Sequence, residues 1–435
     1  MQIILLSGGS GKRLWPLSNE VNSKQFIKVF ADGSNYQSML QKVLKQIRKV
    51  NENVSITIST SKAQETILKK YVDADVTISA EPCRRNTFPA IALTAAFLHD
   101  VKKISIDEPI IICPVDPYAD DNFFAAFKVM AEMVKNNAAN LILLGIKPTY
   151  PSEKYGYIIP ASNENVSEVL EFKEKPNLDT AQKYIAQGGL WNGGVFACKL
   201  SYLLEKSLEN LKTCTYSELL ENYSACPNIS FDYAVSEHEK NIKVVRYNGE
   251  WKDVGTWNTL TEVMEETAIG KVQFDSTCAN SHFINKTDMP LIAMGLKNIV
   301  VAASPGGILV SDKKSSSYIS PFVENVNEPI RFSEKSWGTY QLIDVDKNSL
   351  TIKVILNAGN KMKYHSHEHR DEVWTICSGV GEVILNGEKF SVKVGDVIKI
   401  PAGAKHTVIA VENLKIIEVQ IGKNITVEDK IIWEV

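Results

Sequence analysis

Ten residues near the start of the chain, Ser7–Pro16, read S-G-G-S-G-K-R-L-W-P and follow directly on the apolar run Gln2–Leu6. A buried strand that runs into a glycine-rich turn presents backbone N–H groups. Gly8, Gly9 and Gly11 leave room for a polyphosphate to approach them. Lys12 and Arg13 add positive charge to the same turn, and Lys24 follows in the triplet K-Q-F. The string is neither G-x-x-x-x-G-K-S/T nor G-x-G-x-x-G, so its glycines taken alone also fit an ordinary tight turn. Two carboxylates bear on the same chemistry. Asp116 ends the apolar run Ile110–Val115, and Asp253 sits in W-K-D-V-G-T-W, Trp251–Trp257. Brought to one sheet edge with phosphate oxygens, they make a hard octahedral oxygen site for Mg²⁺. Taken singly, each equally caps a helix or a turn.

The elements that must position these groups follow from periodicity. Gln2–Leu6, Val54–Ser59, Pro109–Val115 and Leu141–Gly145 have the composition of buried strands, and Gln37–Val50, Lys62–Tyr71, Ala90–Val101 and Phe123–Lys135 have helical spacing. This alternation predicts an α/β fold with a doubly wound, mostly parallel sheet, whose ligands bind at the carboxyl ends of the strands. Over 264–327 the helical spacing is lost, and short β-like pieces predict a small β-rich connector: His282–Asn285, Leu291–Met294, Ile299–Ala303 and Ile308–Ser311. Within it Lys313–Ser317, K-K-S-S-S, reads as a surface turn. From 328 to 435 short strands recur between Gly, Asn and Pro, among them Thr351–Leu356, Val373–Ser378, Glu382–Leu385, Asp396–Ile400 and Lys415–Gln420, with Asn386-Gly387 as a hairpin turn. The expected domains are therefore 1–263, 264–327 and 328–435.

At 435 residues the chain exceeds one ordinary core, which agrees with several domains. A net charge of −3 gives no reason to propose nucleic acid or a membrane as partner. Seven scattered cysteines without C-x-x-C indicate neither a disulfide framework nor a thiolate zinc site. The chain enters a strand directly and has no apolar segment near the roughly 20 residues that span a bilayer, so a cytoplasmic location is expected.

The full string Ser7–Pro16, with K-Q-F at Lys24–Phe26, resembles the signature of the sugar-nucleotide pyrophosphorylases and within them the mannose-1-phosphate guanylyltransferases. Further segments follow in the family's order: E-P-x-x-R-N-T-x-P at Glu81–Pro89, Y-G-Y-I at Tyr155–Ile158, F-K-E-K-P at Phe172–Pro176, L-W-N-G-G-V-F at Leu190–Phe196, F-D-Y-A-V at Phe231–Val235 and the Asp253 string. The resemblance implies transfer of a nucleotidyl group from GTP to mannose 1-phosphate, giving GDP-mannose and pyrophosphate. It assigns Arg13 and Lys24 to the triphosphate, Lys175 to the sugar phosphate, and Asp116 and Asp253 to Mg²⁺. Gly8, Gly9, Gly11, Lys12, Arg85 and Asn86 would border the nucleotide, and Gly156, Glu174, Asn192 and Asp232 the sugar. The chain departs from the family pattern at Arg84 and Phe88, at Pro117 in P-V-D-P, and at Gly193. Another nucleoside triphosphate or sugar 1-phosphate stays open on that account.

The last 108 residues carry a second constellation. Gly359, His365, His367, Glu372 and Gly379, then Gly395, Pro401, Gly403 and His406, resemble both cupin motifs, with Ala410 where the final Asn is usual. Residues two apart on a strand face one side, so His365 and His367 turn into one barrel. Glu372 and His406 complete a His₃Glu set with open positions, suited to Zn²⁺ or another divalent transition metal. His369 is expected to stay in solvent. K-Y-H-S-H-E-H-R-D-E-V-W, Lys363–Trp374, and S-W-G-T-Y, Ser336–Tyr340, extend the resemblance to bifunctional enzymes that join the guanylyltransferase to a mannose-6-phosphate isomerase, which implies a homodimer. Against isomerase activity, Trp433 stands near an expected Arg, and Lys335 replaces another, with Lys405 as a substitute cation. A metal-binding cupin fused to an inactive nucleotide-binding module is the competing reading.

Overall fold

The computed structural model describes residues 1–9, 11–19, 22–324, 326, 331–423, 425–426 and 429–433. They fall into two compact units: Met1–Gly11 with Ser23–Glu266, and Lys12–Asn22 with Thr267–Val435.

In the first unit nine strands form one sheet in the order Thr77–Glu81, Ser55–Ser61, Gln2–Ser7, Pro109–Pro114, Leu190–Lys199, Leu141–Ile146, Ile242–Tyr247, Val166–Lys173, Tyr157–Pro160. The first four are parallel, as is the pair Leu141–Ile146 and Ile242–Tyr247. Ile110 to Cys113 and Leu141 to Leu144 are buried at every position, which requires cover on both sheet faces. Helices Thr87–Asp100 and Leu200–Leu211 contribute Phe88, Ile91, Ala95, Leu98, Leu200 and Leu203 to the core beneath Ile4, Ile112 and Leu143. The sheet is mixed rather than uniformly parallel, because Leu190–Lys199 runs antiparallel to both neighbours. Tyr157–Pro160 and Val166–Lys173 are joined by the short loop 161–165 and so are also antiparallel.

Caps set the helix starts away from the expected ones. Ser38 caps Met39–Val50 through a capping box with Gln41, so Gln37 and Ser38 belong to the preceding strand Asn35–Ser38. Thr87–Asp100 begins three residues before the expected Ala90: Asn86 accepts the Thr87 N–H, and Pro89 sits in the first turn, where no N–H is required.

In the second unit Ala268–Ile269, His282–Asn285 and Ile299–Ser304 stack as parallel strands, and Gly307–Asp312 adds an antiparallel edge. Ser304 Oγ donates to the Pro16 carbonyl (2.8 Å), tying the segment 12–22 to this stack. Lys313–Ser317 forms a turn that runs into the 3₁₀ helix Ser315–Tyr318, with Lys314 and Ser315 exposed as expected for a surface turn. Lys313 and Ser316 are buried, Lys313 Nζ donates to Asn280 Oδ1 (2.8 Å), and Ser316 Oγ donates to the Lys313 carbonyl (2.5 Å). Polar residues mark solvent only where no partner waits inside.

The C-terminal strands form two facing sheets. One runs Phe332–Lys335, Gly338–Asp346, Ser349–Leu356, Leu414–Gly422, Arg370–Ser378, Val397–Ile400; the other runs Glu388–Val392, Gly381–Leu385, His406–Ala410, His365–Ser366, Ile431–Ile432. Ile352, Val354, Leu356, Ile376, Val383, Val408 and Ile416 fill the space between. Asn386 and Gly387, both at positive φ (49° and 88°), join two strands as expected for a tight hairpin. Along adjacent strands Ile376 faces Ile416, whereas Glu372 faces Gln420, so the barrel interior passes from apolar to polar. Among the described residues no helix is long and apolar enough to cross a membrane.

Candidate active site and metal centre

Gln2–Ser7 and Pro109–Pro114 end side by side, with Leu6 opposite Pro114 and the Val115 N–H donating to the Leu6 carbonyl (3.2 Å). Gly8 and Asp116 therefore leave the sheet at one edge. Trp251–Asp253 pairs antiparallel with Pro117–Ala119, Asp253 opposite Pro117, so backbone pairing brings Asp253 beside Asp116. Lys24 forms an ion pair with Asp116. Two carboxylates of this kind are hard oxygen donors and fit Mg²⁺.

A buried polar network braces the glycine turn from behind. Ser23 Oγ (3.0 Å) and Gln64 Nε2 (3.3 Å) donate to the Gly9 carbonyl, and Thr60 Oγ1 donates to the Ser7 carbonyl (3.1 Å). Gln25 Nε2 reaches Ser7 Oγ (3.0 Å) and Gln64 Oε1 (3.3 Å). None of these residues stands out in the sequence as a site residue. Gln25 lies inside the quoted K-Q-F, but Thr60 and Gln64 carry no spacing signal.

Lys12 and Arg13 occupy the 3₁₀ turn Lys12–Leu14, which packs within the second unit. Arg85 turns to the Ser224 carbonyl (Nε, 3.1 Å). Asn86 holds φ 69° and ψ −172°, a region used almost only by glycine, while its side chain caps Thr87–Asp100. Phe88 is buried against Phe231 (centroids 6.4 Å).

The four residues expected at the sugar converge through strand register, with Asn192 opposite Gly145, Trp191 opposite Tyr157, and Tyr157 opposite Lys173. Glu174 is buried and pairs with Lys175 Nζ (2.8 Å). Its other oxygen, Oε2, has no hydrogen-bond partner, and a Cβ on Gly156 would lie 2.4 Å from it. Asn192 donates through its backbone to the Gly156 carbonyl (2.8 Å) and through Nδ2 to Asp232 Oδ1 (2.6 Å). Burial, and then the nearby Glu174, push the Asp232 carboxyl up to about 7. Lys175 holds φ 47° directly before Pro176, a left-handed backbone that a lysine rarely adopts. Tyr155, Trp191 and Trp251 pack ring to ring beside these groups (centroids 4.9–6.2 Å). The departure at Gly193 has a local reason: a Cβ there would lie 3.0 Å from Ile146 Cγ1.

In the barrel His365, His367 and His406 are buried, with ring nitrogens within 4.8 Å of one another. Each Nδ1 meets a backbone carbonyl: His365 that of Lys363 (2.7 Å), His406 that of Ala404 (2.9 Å), His367 that of Asp429 (2.5 Å). A carbonyl only accepts, so each Nδ1 carries the proton and each Nε2 keeps its lone pair. Glu372 lies between, Oε1 3.1 Å from His367 Nε2 and Oε2 3.4 Å from His406 Nε2, and the latter nitrogen is buried without a hydrogen bond. Burial foremost, then Lys430 and His406, lower His365 to about 2, so it stays a neutral ligand. This donor set, with an orphaned buried nitrogen, fits a divalent transition metal. His369 is exposed, as expected.

Further groups at this centre do not stand out in the sequence, although Arg370 and Trp374 lie inside the quoted string Lys363–Trp374. Arg370 Nε donates to Glu372 Oε1 (3.2 Å), Trp374 Nε1 to Glu372 Oε2 (3.1 Å), and Gln420 Nε2 to Glu372 Oε1 (3.3 Å) and Glu418 Oε1 (2.5 Å). Burial, then Glu372, push Glu418 up to about 8. Lys405 lies with its ammonium 3.5 Å from the centre of the Trp433 ring.

These features define an α/β sheet whose glycine turn and paired aspartates meet at one edge, followed by a β-barrel with a buried cluster of three histidines. The chain matches the nucleotidyl transferase family over residues 2–269 and the mannose-6-phosphate isomerase C-terminal family over residues 326–434. It belongs to the nucleotidyl transferase family. It is 30% identical to mannose-1-phosphate guanylyltransferase RfbM of Salmonella typhimurium, over 98% of this chain and 95% of that one. It is also 30% identical to the xanthan biosynthesis protein XanB of Xanthomonas campestris, over 99% and 97%. A solved Thermus thermophilus structure, described as a mannose-1-phosphate geranyltransferase, superposes with a TM-score of 0.64 at 27% identity, covering 75% of this chain and 99% of that one.

Proposed function

We propose that this chain transfers GMP from GTP to mannose 1-phosphate, giving GDP-mannose and pyrophosphate. One observation carries the reading. The Lys24–Asp116 pair with Asp253, and the Gly156–Glu174–Lys175–Asn192–Asp232 group, all lie within one unit, Asn192 on a strand of its nine-stranded sheet and Asp253 on the two-stranded sheet that pairs it beside Asp116. A sugar 1-phosphate oxygen attacks the α-phosphorus, the bond to the bridging oxygen of the β-phosphate breaks, and pyrophosphate leaves. No protein nucleophile is needed, so positioning and charge neutralisation carry the rate. Lys24 holds the triphosphate and Lys175 the attacking phosphate. Gly8, Gly9 and Gly11 offer backbone N–H groups, with Lys12, Arg85 and Asn86 bordering the nucleotide. Asp116 and Asp253 would hold Mg²⁺, which supplies countercharge to the phosphates when bound. Glu174, Asn192 and Asp232 accept or donate at sugar hydroxyls. Pyrophosphate release, measured with Mg²⁺ across four nucleoside triphosphates and several sugar 1-phosphates, tests this. Turnover with GTP and mannose 1-phosphate is expected, and none with any pair refutes it.

A second activity, interconversion of mannose 6-phosphate and its ketose, is favoured by the buried His₃Glu set within the isomerase-matching region. His365, His367, Glu372 and His406 would hold Zn²⁺ or a similar ion, which polarises a sugar carbonyl when bound. A coupled fructose 6-phosphate assay on metal-loaded protein tests it, and no turnover with the metal in place refutes it. The reading divides the chain into a transferase part over 1–263, a connector over 264–327 and a cupin over 328–435, supported by the two family matches.

A further inference from the structure

We infer that the C-terminal segment is a working part of the cupin metal centre, with Asp429 as the residue that positions His367. The inference rests on the reading of the His₃Glu set as a metal site. Two of the three histidines take their Nδ1 acceptor from two residues upstream, Lys363 and Ala404. His367 alone takes it from a residue 62 positions away in sequence, the Asp429 carbonyl. The tautomer and ring orientation of one ligand therefore depend on tertiary docking of the chain end.

The side chain of Asp429 acts on the same connection between the strands His365–Ser366 and Arg370–Ser378. Its two carboxylate oxygens accept the N–H groups of Glu368 (2.9 Å) and His369 (3.1 Å), and Oδ2 lies 3.6 Å from Arg370 Nη1. Arg370 in turn donates to the Thr426 carbonyl (Nη1, 3.0 Å) and to Glu372 Oε1. A short stretch of chain thus fixes the backbone on the far side of His367 and the guanidinium that braces Glu372. Beyond it, Ile431–Ile432 pairs with His365–Ser366, the Trp433 N–H donates to the Tyr364 carbonyl (3.0 Å), and Trp433 Nε1 donates to Ser366 Oγ (3.0 Å). Described residues from Thr426 to Trp433 therefore hold both sides of the His365–His367 pair. A site whose ligands are ordered by a docked segment must also favour docking of that segment when the ion binds, because the coupling is reciprocal. A role limited to covering the barrel would leave ion affinity insensitive to Asp429.

The experiment uses the full-length protein with Zn²⁺ alone as the probe, read by chelator competition and metal content. Co²⁺ absorption reports ligand geometry. Wild type takes up one Zn²⁺ at the histidine set; failure to do so overturns the metal-site reading itself. Asp429→Ala binds Zn²⁺ ten- to a hundredfold more weakly and shifts the Co²⁺ bands, the size expected for a group that orients a ligand. Trp433→Ala, which spares every bond made by the Asp429 side chain, changes affinity less than threefold. If Asp429→Ala binds within twofold of wild type, the positioning role is wrong. If that variant does not fold, Asp429→Asn decides. It keeps the backbone carbonyl but loses the bond to one of the Glu368 and His369 N–H groups and the charge facing Arg370, so about a tenfold loss of affinity is expected, and an affinity equal to wild type with unchanged Co²⁺ bands overturns the inference.

Discussion

Replacing Asp232 with asparagine should raise stability, and only above a defined pH. In the folded chain the Asp232 carboxyl is pushed up to about 7 from an ordinary 3.8, because its surroundings desolvate it and Glu174 faces it. Below about pH 3.8 both the folded and the unfolded chain carry the proton, and the site costs nothing. Between 3.8 and 7 the unfolded chain releases the proton and the folded chain keeps it, so stability falls by about 1.4 kcal/mol per pH unit. Above 7 the deficit is complete. The difference of about three units sets its ceiling near 4 kcal/mol. The asparagine side chain of Asp232→Asn does not titrate and still offers Oδ1 to Asn192 Nδ2, so the variant keeps the bond and loses the penalty. Urea unfolding of both proteins at pH 4.5, 5.5, 6.5 and 7.5 measures this. With a slope of about 3 kcal/mol per molar urea, the variant's midpoint should lead by roughly 1.4 M at pH 7.5 and by only about 0.3 M at pH 4.5. Glu174→Gln, which removes the second cause, should give part of the same gain. A midpoint difference that is flat between pH 5 and 8 would refute the argument.

Gly156→Ala places a methyl 2.4 Å from Glu174 Oε2. Overpacking of about 1–3 kcal/mol should raise KM for the sugar 1-phosphate roughly tenfold or more, with KM for the nucleotide unchanged. Asp116→Asn should cut kcat by about 10³ while circular dichroism stays that of wild type, the scale of losing one charge-stabilising group. Gln64→Leu removes an amide behind the glycine turn and leaves the Gly9 carbonyl short of one donor. A penalty of about 1–3 kcal/mol should surface as a raised KM for the nucleotide alone. His406→Ala should abolish metal uptake by the barrel while pyrophosphate release continues, checked by metal analysis and the transferase assay on one preparation.

The parallel half of the sheet was legible because Ile110–Cys113 and Leu141–Leu144 are buried on both faces and so read as unbroken apolar runs. The antiparallel strand Leu190–Lys199 was not, since Asn192, Gly193 and Gly194 interrupt its apolar pattern for the sake of the site. In the connector the strands His282–Asn285 and Ile299–Ser304 were legible from composition, but their parallel stacking was not, because strands of two to six residues carry no mark of pairing direction. His365, His367, Glu372 and His406 were legible from local spacing. Arg370 stood inside the quoted string without a visible partner, and its partners Thr426 and Asp429 lie 56 and 59 positions on. Arg85 and Asn86 show the limit of motif reading. Both also perform local structural tasks, one on the Ser224 carbonyl and one as a helix cap, which a string cannot separate from contact with a nucleotide.

The brace behind Gly9 has a thermodynamic meaning. Ser23, Gln25, Thr60 and Gln64 are buried and fix the backbone of the glycine turn by hydrogen bonds made during folding. The entropy of ordering Ser7 and Gly9 is therefore spent before any phosphate arrives. Nucleotide association need not order these two residues, and their share of its heat-capacity change should reflect desolvation of the ligand rather than coupled folding.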